Sequence, residues 1–377
     1  MTPAEKVARL RLARSEGIGP VTLARLLGRF GSAEAAIEAL PRLARAGGAK
    51  AAPSLAPQAK AEDEIARLAR MGGQMLVLGE DAYPPLLAEL PDPPGALAVL
   101  GDPSNLARRG VALVGARNAS INGQRVAATL AADLARAGLS VVSGLARGVD
   151  AAAHGAALDA GGVTVAAVAG GIDKPYPPEH AALQKRIAEG GAVVAEAPLG
   201  TEAQSRHFPR RNRLIAGLSL GVVVVEAAPK SGSLITARLA LEQGRELFAV
   251  PGSPLDPRAR GANDLIRQGA HLTESAEDVI NNLPDSPRRE GLSRLPIFAR
   301  GPAPVRMEED QAPPPAPFET DSARVQVLEL LGPSPVLVDD LLRRSEVSAA
   351  ALAEVLLELD LAGRLERLPG NRVALIA

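Results

Sequence analysis

The sequence predicts a doubly wound α/β fold with a helical module before it and a winged helix after it. Two patterns carry that expectation. Between residues 75 and 280, short and nearly continuous apolar runs alternate with Ala- and Leu-rich helical stretches, the pattern of a parallel sheet covered on both faces. Beyond residue 321, three helical patterns precede two short alternating runs around Pro369-Gly370-Asn371, which is the order of a winged helix. At about 150 residues per domain, 377 residues leave room for two to three domains.

Residues 1–74 read as helices. Val7, Leu10 and Ala13, then Leu23, Leu26 and Leu27, recur at helical spacing on either side of Gly17-Ile18-Gly19-Pro20. A helix, a Gly-x-Gly-Pro turn and a second helix have the form of a helix-hairpin-helix, whose turn offers backbone N–H groups to a nucleic-acid phosphate. A small helical bundle with a Gly-rich turn is the plainer alternative. Residues 75–280 hold the sheet. Its strand-like runs are Met75–Leu78, Ala96–Leu100, Val111–Val114, Ser140–Ser143, Val163–Val168, Ala192–Ala195, Gly221–Val225 and Leu247–Val250. Helices Gly123–Ala137, Ala151–Ala160 and His180–Glu189 lie among the stretches between them. Residues 281–321 are Pro-rich, charged and aperiodic, and read as a linker. In 322–377 the expected helices are Ala323–Leu331, Val336–Arg344 and, capped by Ser348, Ala349–Leu361, followed by the runs Arg364–Leu368 and Arg372–Ile376.

Composition narrows the chemistry. The chain is 46% hydrophobic and 23% charged with a net charge of -1, which is globular rather than disordered. With no cysteine there is no disulfide scaffold, thiol nucleophile or thiolate metal site. The four histidines, His154, His180, His207 and His271, include no H-x-x-x-H pair, so no metal site is expected. The N-terminus alternates charged and apolar residues without an export-signal core, and no run reaches the ~18 apolar residues of a membrane span. A cytoplasmic protein without a membrane partner is expected. The near-neutral total hides an uneven distribution. Residues 1–50 hold nine Lys/Arg against four acids, a net of +5, whereas the last 56 residues hold six against eight, a net of -2.

In a parallel sheet the ligand sits beyond the carboxyl ends of the strands, so the residues after each strand are informative. After Val114 comes Gly115-Ala116-Arg117-Asn118, where Gly115 admits close backbone approach and Arg117 forks onto a phosphate. It is not a G-x-G-x-x-G turn and no acid follows at the ribose-binding distance, which disfavours a nicotinamide dehydrogenase. After Val142 comes Ser143-Gly144-Leu145-Ala146-Arg147-Gly148-Val149-Asp150, with His154 beyond it. Asp150 and His154, at i and i+4, read as loop-orienting rather than catalytic. After Val168 comes Gly170-Gly171-Ile172-Asp173-Lys174-Pro175-Tyr176-Pro177. After Val225 come Glu226 and Lys230-Ser231-Gly232-Ser233, a turn into a helix that supplies hydroxyl and N–H groups for an anion. Singly, such glycines are ordinarily turns and such serines ordinarily caps. Their convergence on one sheet edge is the signal. So is the placement of Lys174 and Lys230, two of only six lysines, in these loops.

The most informative stretch is Arg206-His207-Phe208-Pro209-Arg210-Arg211-Asn212-Arg213. Five Phe and two Tyr are all the aromatics of the chain except histidine, and one of them stands inside an arginine cluster. That pattern is a base-stacking platform beside phosphate contacts. The alternative is a core plug surrounded by surface ion pairs.

The ordered series VGARNAS, SGLARGVDAAAHGAAL, GGIDKPYPPEH, HFPRRNRLIAGLS, VEAAPKSGSLITARLALEQGRELFAVPG and NDLIRQGA resembles the DprA/Smf family of DNA-processing proteins over about Gly79–Ile280, and the flanking modules resemble that family's too. The resemblance implies an extended Rossmann-like domain between a SAM/helix-hairpin-helix-like module and a winged helix. It also implies a non-enzymatic homodimer, without a cofactor, that binds and protects single-stranded DNA and helps load the RecA recombinase in transformation and recombination. On the resemblance, the DNA pocket maps onto Arg117, the Ser143-Gly144 loop, Phe208, Asn212 and Lys230, and a dimer contact onto Asn263 and Leu272. The residue reading adds Gly115, Lys174, Arg206, Arg211, Ser231 and Ser233 to the DNA-binding set. The sequence departs from several relatives in one place: a lysine three residues before the Phe of HFP is here Ser205, with Arg206 beside it as the substitute.

Two other classes compete. A Rossmann-like phosphoribohydrolase of the LOG type needs a P-G-G-x-G-T motif and a catalytic Glu, whereas this chain has Gly170-Gly171-Ile172-Asp173, and Glu226 precedes a Lys-Ser-Gly-Ser turn. A winged-helix reader of duplex DNA needs a basic third helix, but 349–361 carries Glu354, Glu358 and Asp360 and no Lys or Arg, which suits protein contact instead.

Overall fold

The computed structural model describes residues 1–49, 53–285, 317–345, 347–368 and 370–376. The elements begin with helices α1 (Pro3–Ala13), α2 (Pro20–Phe30), α3 (Ala33–Ala46) and α4 (Gln58–Arg70). Next come β1 (Gly73–Val77), α5 (Pro85–Ala88), β2 (Ala96–Gly101), β3 (Gly110–Val114), α6 (Ile121–Arg136), β4 (Ser140–Ser143), α7 (Val149–Asp159) and β5 (Thr164–Val168). They continue with α8 (Ala181–Gly190), β6 (Ala192–Ala195), α9 (His207–Gly217), β7 (Gly221–Val224), α10 (Ser233–Glu242) and β8 (Glu246–Ala249). The α/β region closes with α11 (Arg260–Arg267), β9 (His271–Leu272) and α12 (Ala276–Asn282). The last elements are α13 (Pro317–Leu330), β10 (Val336–Leu337), α14 (Val338–Arg344), α15 (Ala349–Leu361), β11 (Leu365–Leu368) and β12 (Arg372–Leu375). The described residues form two compact units, one from 1–62 with 317–376, the other from 63–285.

The second unit is built on a nine-stranded sheet of order β1-β2-β6-β5-β4-β3-β7-β8-β9. Strands β3 to β9 pair in parallel, while β2 pairs antiparallel with both β1 and β6. The expectation of a parallel sheet therefore holds for the centre and not for that edge. A strand buried on both faces is apolar throughout whichever way it runs, so its direction is not written in its pattern. Side chains alternate between two cores. Ala112, Val114, Val222 and Val224 face Leu214, Ile215, Ala237 and Leu241 of α9 and α10, while Val111, Leu113, Val141 and Val223 face Ala127, Leu130, Ala131 and Ala153 of α6 and α7. Fully burying one such Val or Leu stabilises the fold by about 1.5–3 kcal/mol. The two-residue β9 and β10 are too short for a period to register in the sequence and add to the expected runs.

In the first unit, Pro3 and Pro20 open α1 and α2, Gly31 closes α2 with φ +72°, and the Ser32 hydroxyl accepts from Ala35 N–H at 3.2 Å to cap α3. In the C-terminal module, β10 falls between α13 and α14, α15 follows, and β11 and β12 complete the antiparallel sheet β10-β12-β11. Helix α13 starts at Pro317, inside the stretch expected as linker; most of that stretch, 286–316, lies outside the described residues. Helix α15 starts at the cap foreseen, with Ser348 Oγ accepting from Ala351 N–H at 3.2 Å. It is covered on two sides. Leu352, Val355, Leu356 and Leu359 join Ala323 and Val327 of α13, while Leu357 and Leu361 join Leu23, Leu26, Leu40 and Leu43 of α2 and α3. Gly47 lets the end of α3 come close, since a Cβ there would run into the Glu358 carbonyl.

Candidate nucleic-acid interface

The loops leaving β3, β4 and β5 meet the first turns of α9 around a cleft at the carboxyl ends of the strands. Arg117 enters from the first loop, Gly144 and Arg147 from the second, and Lys174 and Tyr176 from the third; Phe208 and Arg211 come from α9. The cleft lies beside the place where strand order reverses, between β3 and β7, which is where doubly wound sheets open a binding crevice.

Phe208 is the hub. The Arg117 guanidinium lies over its ring, 4.5 Å from the centroid, and that of Arg211 is 5.8 Å away. The Tyr176 ring stands 5.6 Å off, tilted by 60°. Such geometry places cations against the negative ring face.

Each loop is held from behind. Ser120 N–H donates to Glu226 Oε2 at 2.9 Å, the Ser120 hydroxyl donates to the other carboxylate oxygen, and that hydroxyl accepts from Gly123 N–H at 2.9 Å to cap α6. Glu226, just past β7, thereby fixes the loop that carries Arg117. Gly148 has φ +74°, and a Cβ on it would strike the carbonyls of Ala116 and Arg117, so the first two loops close on each other only with glycine there. Asp150 organises the second loop by accepting from Gly144 N–H at 3.1 Å and Ala146 N–H at 3.2 Å. Leu145, between them, is held at φ +59°.

Beneath the hub, Arg211 is only 6% exposed and donates to the Ala167 carbonyl at 3.3 Å. Burial pulls its pKa down to about 10, with Asp150 opposing, so it stays cationic at neutral pH. Burial pushes the Asp150 carboxyl up, and the Arg211 charge opposes that shift. The space Arg211 occupies exists because residue 144 has no side chain: a Cβ there would collide with its guanidinium. His154 is fully buried, and burial, helped by the charges of Arg211 and His180, holds its pKa down to about 3. Thr164 gives its hydroxyl hydrogen to the Val141 carbonyl at 2.7 Å, so His154 must donate from Nδ1 to that oxygen, also at 2.7 Å. Asp150 thus orients the loop as expected, and His154 belongs to the core.

Of the residues singled out from the sequence, the cleft gathers Arg117, Gly144, Lys174, Phe208 and Arg211. Ser143 is buried and gives its hydroxyl to the Leu113 carbonyl at 2.6 Å, and Gly115 leaves room for the Val149 side chain. Asn212, one turn beyond Phe208 on α9, donates to the Gly232 carbonyl at 3.4 Å and ties the helix to the loop after β7. In that loop the hydroxyls of Ser231 and Ser233 bond each other at 2.7 Å, and Lys230 is exposed with no ion-pair partner among the described residues. Arg206 is exposed beside His207. Arg210 and Arg213 instead pair with Glu196 at 2.9 and 2.6 Å, so the ion-pair alternative describes those two. Asn263 exchanges two hydrogen bonds with the Gly252 backbone, at 3.0 and 2.8 Å, and Leu272 lies 49% exposed on edge strand β9.

Tyr176, Arg147 and Gly148 lie within the sequence motifs without being among the candidate site residues. The rule that picked Phe208, an aromatic among scarce cations, applies equally to Tyr176 two residues after Lys174. Lys174 is paired with Glu202 at 3.4 Å and Arg147 with Glu179, both at the surface, where such pairs contribute about 0–1 kcal/mol and yield readily to a phosphate. Arg117 makes no ion pair among the described residues. No group of His, Cys, Asp or Glu able to hold a metal is present among them, and no helix there is long and apolar enough to cross a membrane.

Comparison with known proteins shows the family. Residues 74–284 match the family described as DNA recombination-mediator protein A, residues 3–66 a DprA-like N-terminal HHH domain, and residues 311–371 a DprA winged helix domain. The chain is 39% identical to Protein Smf of Escherichia coli over 320 residues, covering 85% of this chain and 82% of that protein. It is 43% identical to the DNA processing protein DprA of Bacillus subtilis over 222 residues, covering 59% of this chain and 75% of that protein. Among solved structures it is similar to DNA processing protein A from Streptococcus pneumoniae, with a TM-score of 0.57 and 38% identity over 61% of this chain and 80% of that one. The DNA processing protein A of Helicobacter pylori, described for its single-stranded DNA binding mode, aligns with a TM-score of 0.50 and 32% identity over 56% of this chain and 95% of that one.

Proposed function

The chain belongs to the DprA family of DNA recombination-mediator proteins, and on that premise we propose that it binds single-stranded DNA in the cleft of its α/β unit and acts in transformation and recombination. The observation that carries this reading is the Arg117–Phe208 stack at the mouth of a crevice rimmed by Lys174 and Arg147. Guanidinium and ammonium groups neutralise phosphates, and a ring among them stacks a base without regard to its identity. Lys230, Ser231 and Ser233 at the head of α10 extend the basic track beyond Asn212, and Arg206 extends it beyond Phe208.

The finer parts of the proposal follow from family membership. The protein protects the bound strand and helps load the RecA recombinase, works in the cytoplasm, and forms a homodimer. For the dimer, half-exposed Leu272 on edge strand β9 is the apolar group a second copy would cover, and Asn263 shapes the loop beside it. The chain acts as a binding protein rather than an enzyme. Glu226, the carboxylate to which a nucleotide-cleaving alternative would look, is engaged by Ser120 in holding a loop.

The test is a mobility-shift comparison of single- and double-stranded DNA across a salt series, using the full chain. Preferential single-strand binding that weakens with salt is expected. Equal or absent single-strand binding, or base release from nucleoside monophosphates, would overturn the proposal.

A further inference from the structure

Tyr176 differs from every other aromatic group around it. Of the two tyrosines, Tyr83 is 4% exposed and donates its hydroxyl to the Pro94 carbonyl at 2.7 Å, whereas Tyr176 is 45% exposed on the rim of the cleft. Its hydroxyl has no hydrogen-bond partner among the described residues. Phe208, by contrast, is half-buried, and its ring already carries the Arg117 guanidinium at 4.5 Å, with Arg211 at 5.8 Å. A base that stacked on Phe208 where Arg117 lies would have to displace that cation. The Tyr176 ring needs no such displacement, and Phe208 supports it at 5.6 Å.

On the reading of the cleft as a single-stranded DNA site, the geometry points to Tyr176 as the ring that meets the nucleobase. Phe208 then supports two neighbours: it carries Arg117 and it backs Tyr176. Lys174, two residues before Tyr176 in the same loop, and Arg117, from the loop after β3, line the same cleft and are the cations available to the flanking phosphates. An extended strand can enter such a site because its bases are unpaired and free to turn toward a ring; a duplex offers no free base face.

The protein supplies its own probe, since it has no tryptophan and only these two tyrosines. Tyrosine emission of the full chain is followed while oligothymidylate is added, alongside a mobility shift on the same samples. Emission should fall as the complex forms. The variant Tyr176→Phe should keep affinity within about twofold and lose the emission change, and Tyr176→Ala should bind about 5- to 150-fold more weakly, the span of one base–aromatic contact. A wild-type complex that forms with unchanged emission, or a folded Tyr176→Ala variant that binds like wild type, overturns the role of Tyr176 and leaves the cleft assignment standing. Failure of the wild-type chain to shift the oligonucleotide overturns the cleft assignment itself.

Discussion

Arg117 and Phe208 come from distant parts of the chain, the loop after β3 and the first turn of α9, and meet with the guanidinium 4.5 Å from the ring centroid. The contact makes one functional group of two residues. The ring limits where the guanidinium can go, and the guanidinium covers a ring that would otherwise face solvent. Groups in contact do not contribute independently, so their substitutions should not add.

Arg117→Ala should weaken single-strand binding for all sequences alike and lower the salt dependence by about 0.7 in the log–log slope, the value of one phosphate contact on a single strand. Lys230→Ala, in the loop after β7, should do the same independently. Phe208→Ala, which removes the support of both Arg117 and Tyr176, should weaken binding by up to about 150-fold, the upper span of one base–aromatic contact, and its combination with Arg117→Ala should cost less than the product of the two. Titrations of the four variants at three salt concentrations check this. Strict additivity of Arg117 and Phe208 would mean that their contact is incidental to binding, and a large fall in melting temperature for Phe208→Ala with binding retained would make that ring a core plug.

Gly144→Ala is the sharpest local probe of the floor of the cleft. The new methyl group would occupy the space of the Arg211 guanidinium, which is buried against Asp150 and cannot swing into solvent without leaving that carboxyl uncompensated. Loss of stability of about 3–5 kcal/mol is expected, in line with the cost of disrupting a buried charged pair. A denaturant melt reads it. The companion variant Gly155→Ala, on α7 where a Cβ meets nothing within 4 Å, should melt at or slightly above the wild-type temperature.

Much of this arrangement was legible in the sequence because its signals are local. All eight apolar runs became strands, and the Gly- and cation-bearing loops after β3, β4 and β5 reached one cleft, because a parallel sheet puts all those strand ends on one edge. What the sequence could not show was direction of pointing. Ser143 and Gly144 are neighbours, yet the serine turns to the Leu113 carbonyl and only the glycine borders the cleft. Arg210, Arg211 and Arg213 look alike in the string, but the helical turn sends two to Glu196 and buries the third under Phe208. Packing partners of that kind lie far away in sequence and leave no periodic trace.

His154 should make stability depend on pH. Its pKa falls from 6.5 in the ordinary state to about 3 in the fold, so between those values the unfolded chain binds a proton that the folded chain refuses. The stabilisation is complete above pH 6.5 and is lost as pH falls toward 3, by up to about 1.4 kcal/mol for each pH unit. In His154→Asn, whose amide N–H can still donate to Thr164, the melting temperature should vary less between pH 7 and pH 5 than in wild type, whatever its absolute value. Parallel slopes for the two proteins over that interval would show that His154 accepts a proton in the folded state.

The winged helix should not read duplex DNA, and the structure supplies a reason beyond its acidity. The third helix of such a module enters the major groove through an exposed face carrying basic or polar groups. In α15 that face is occupied within the chain itself. Glu354 pairs with Arg29 at 2.7 Å, Asp360 accepts from the Thr22 hydroxyl at 2.7 Å and from Arg367 at 3.2 Å, and Glu358 is held by Arg324 at 2.7 Å. Wing residue Arg364 donates to the Gly47 carbonyl at 3.4 Å. Within the chain α15 also packs on α2 and α3, with Leu357 and Leu361 sealed among Leu23, Leu26 and Leu40. Truncation before residue 313 should leave single-strand affinity within a few-fold of the full chain, since the cleft lies in the other unit. The same truncation should lower the thermal stability of the N-terminal helices, because it strips those leucines of their cover. Arg29→Ala should weaken the same packing more gently, by about 1–2 kcal/mol, by leaving Glu354 without its charged partner. Melting curves and single-strand titrations of both variants check the pair of expectations. Duplex binding by the full chain as tight as its single-strand binding, and lost on replacing Arg364 and Arg367 by alanine, would show that the module opens and reads DNA after all.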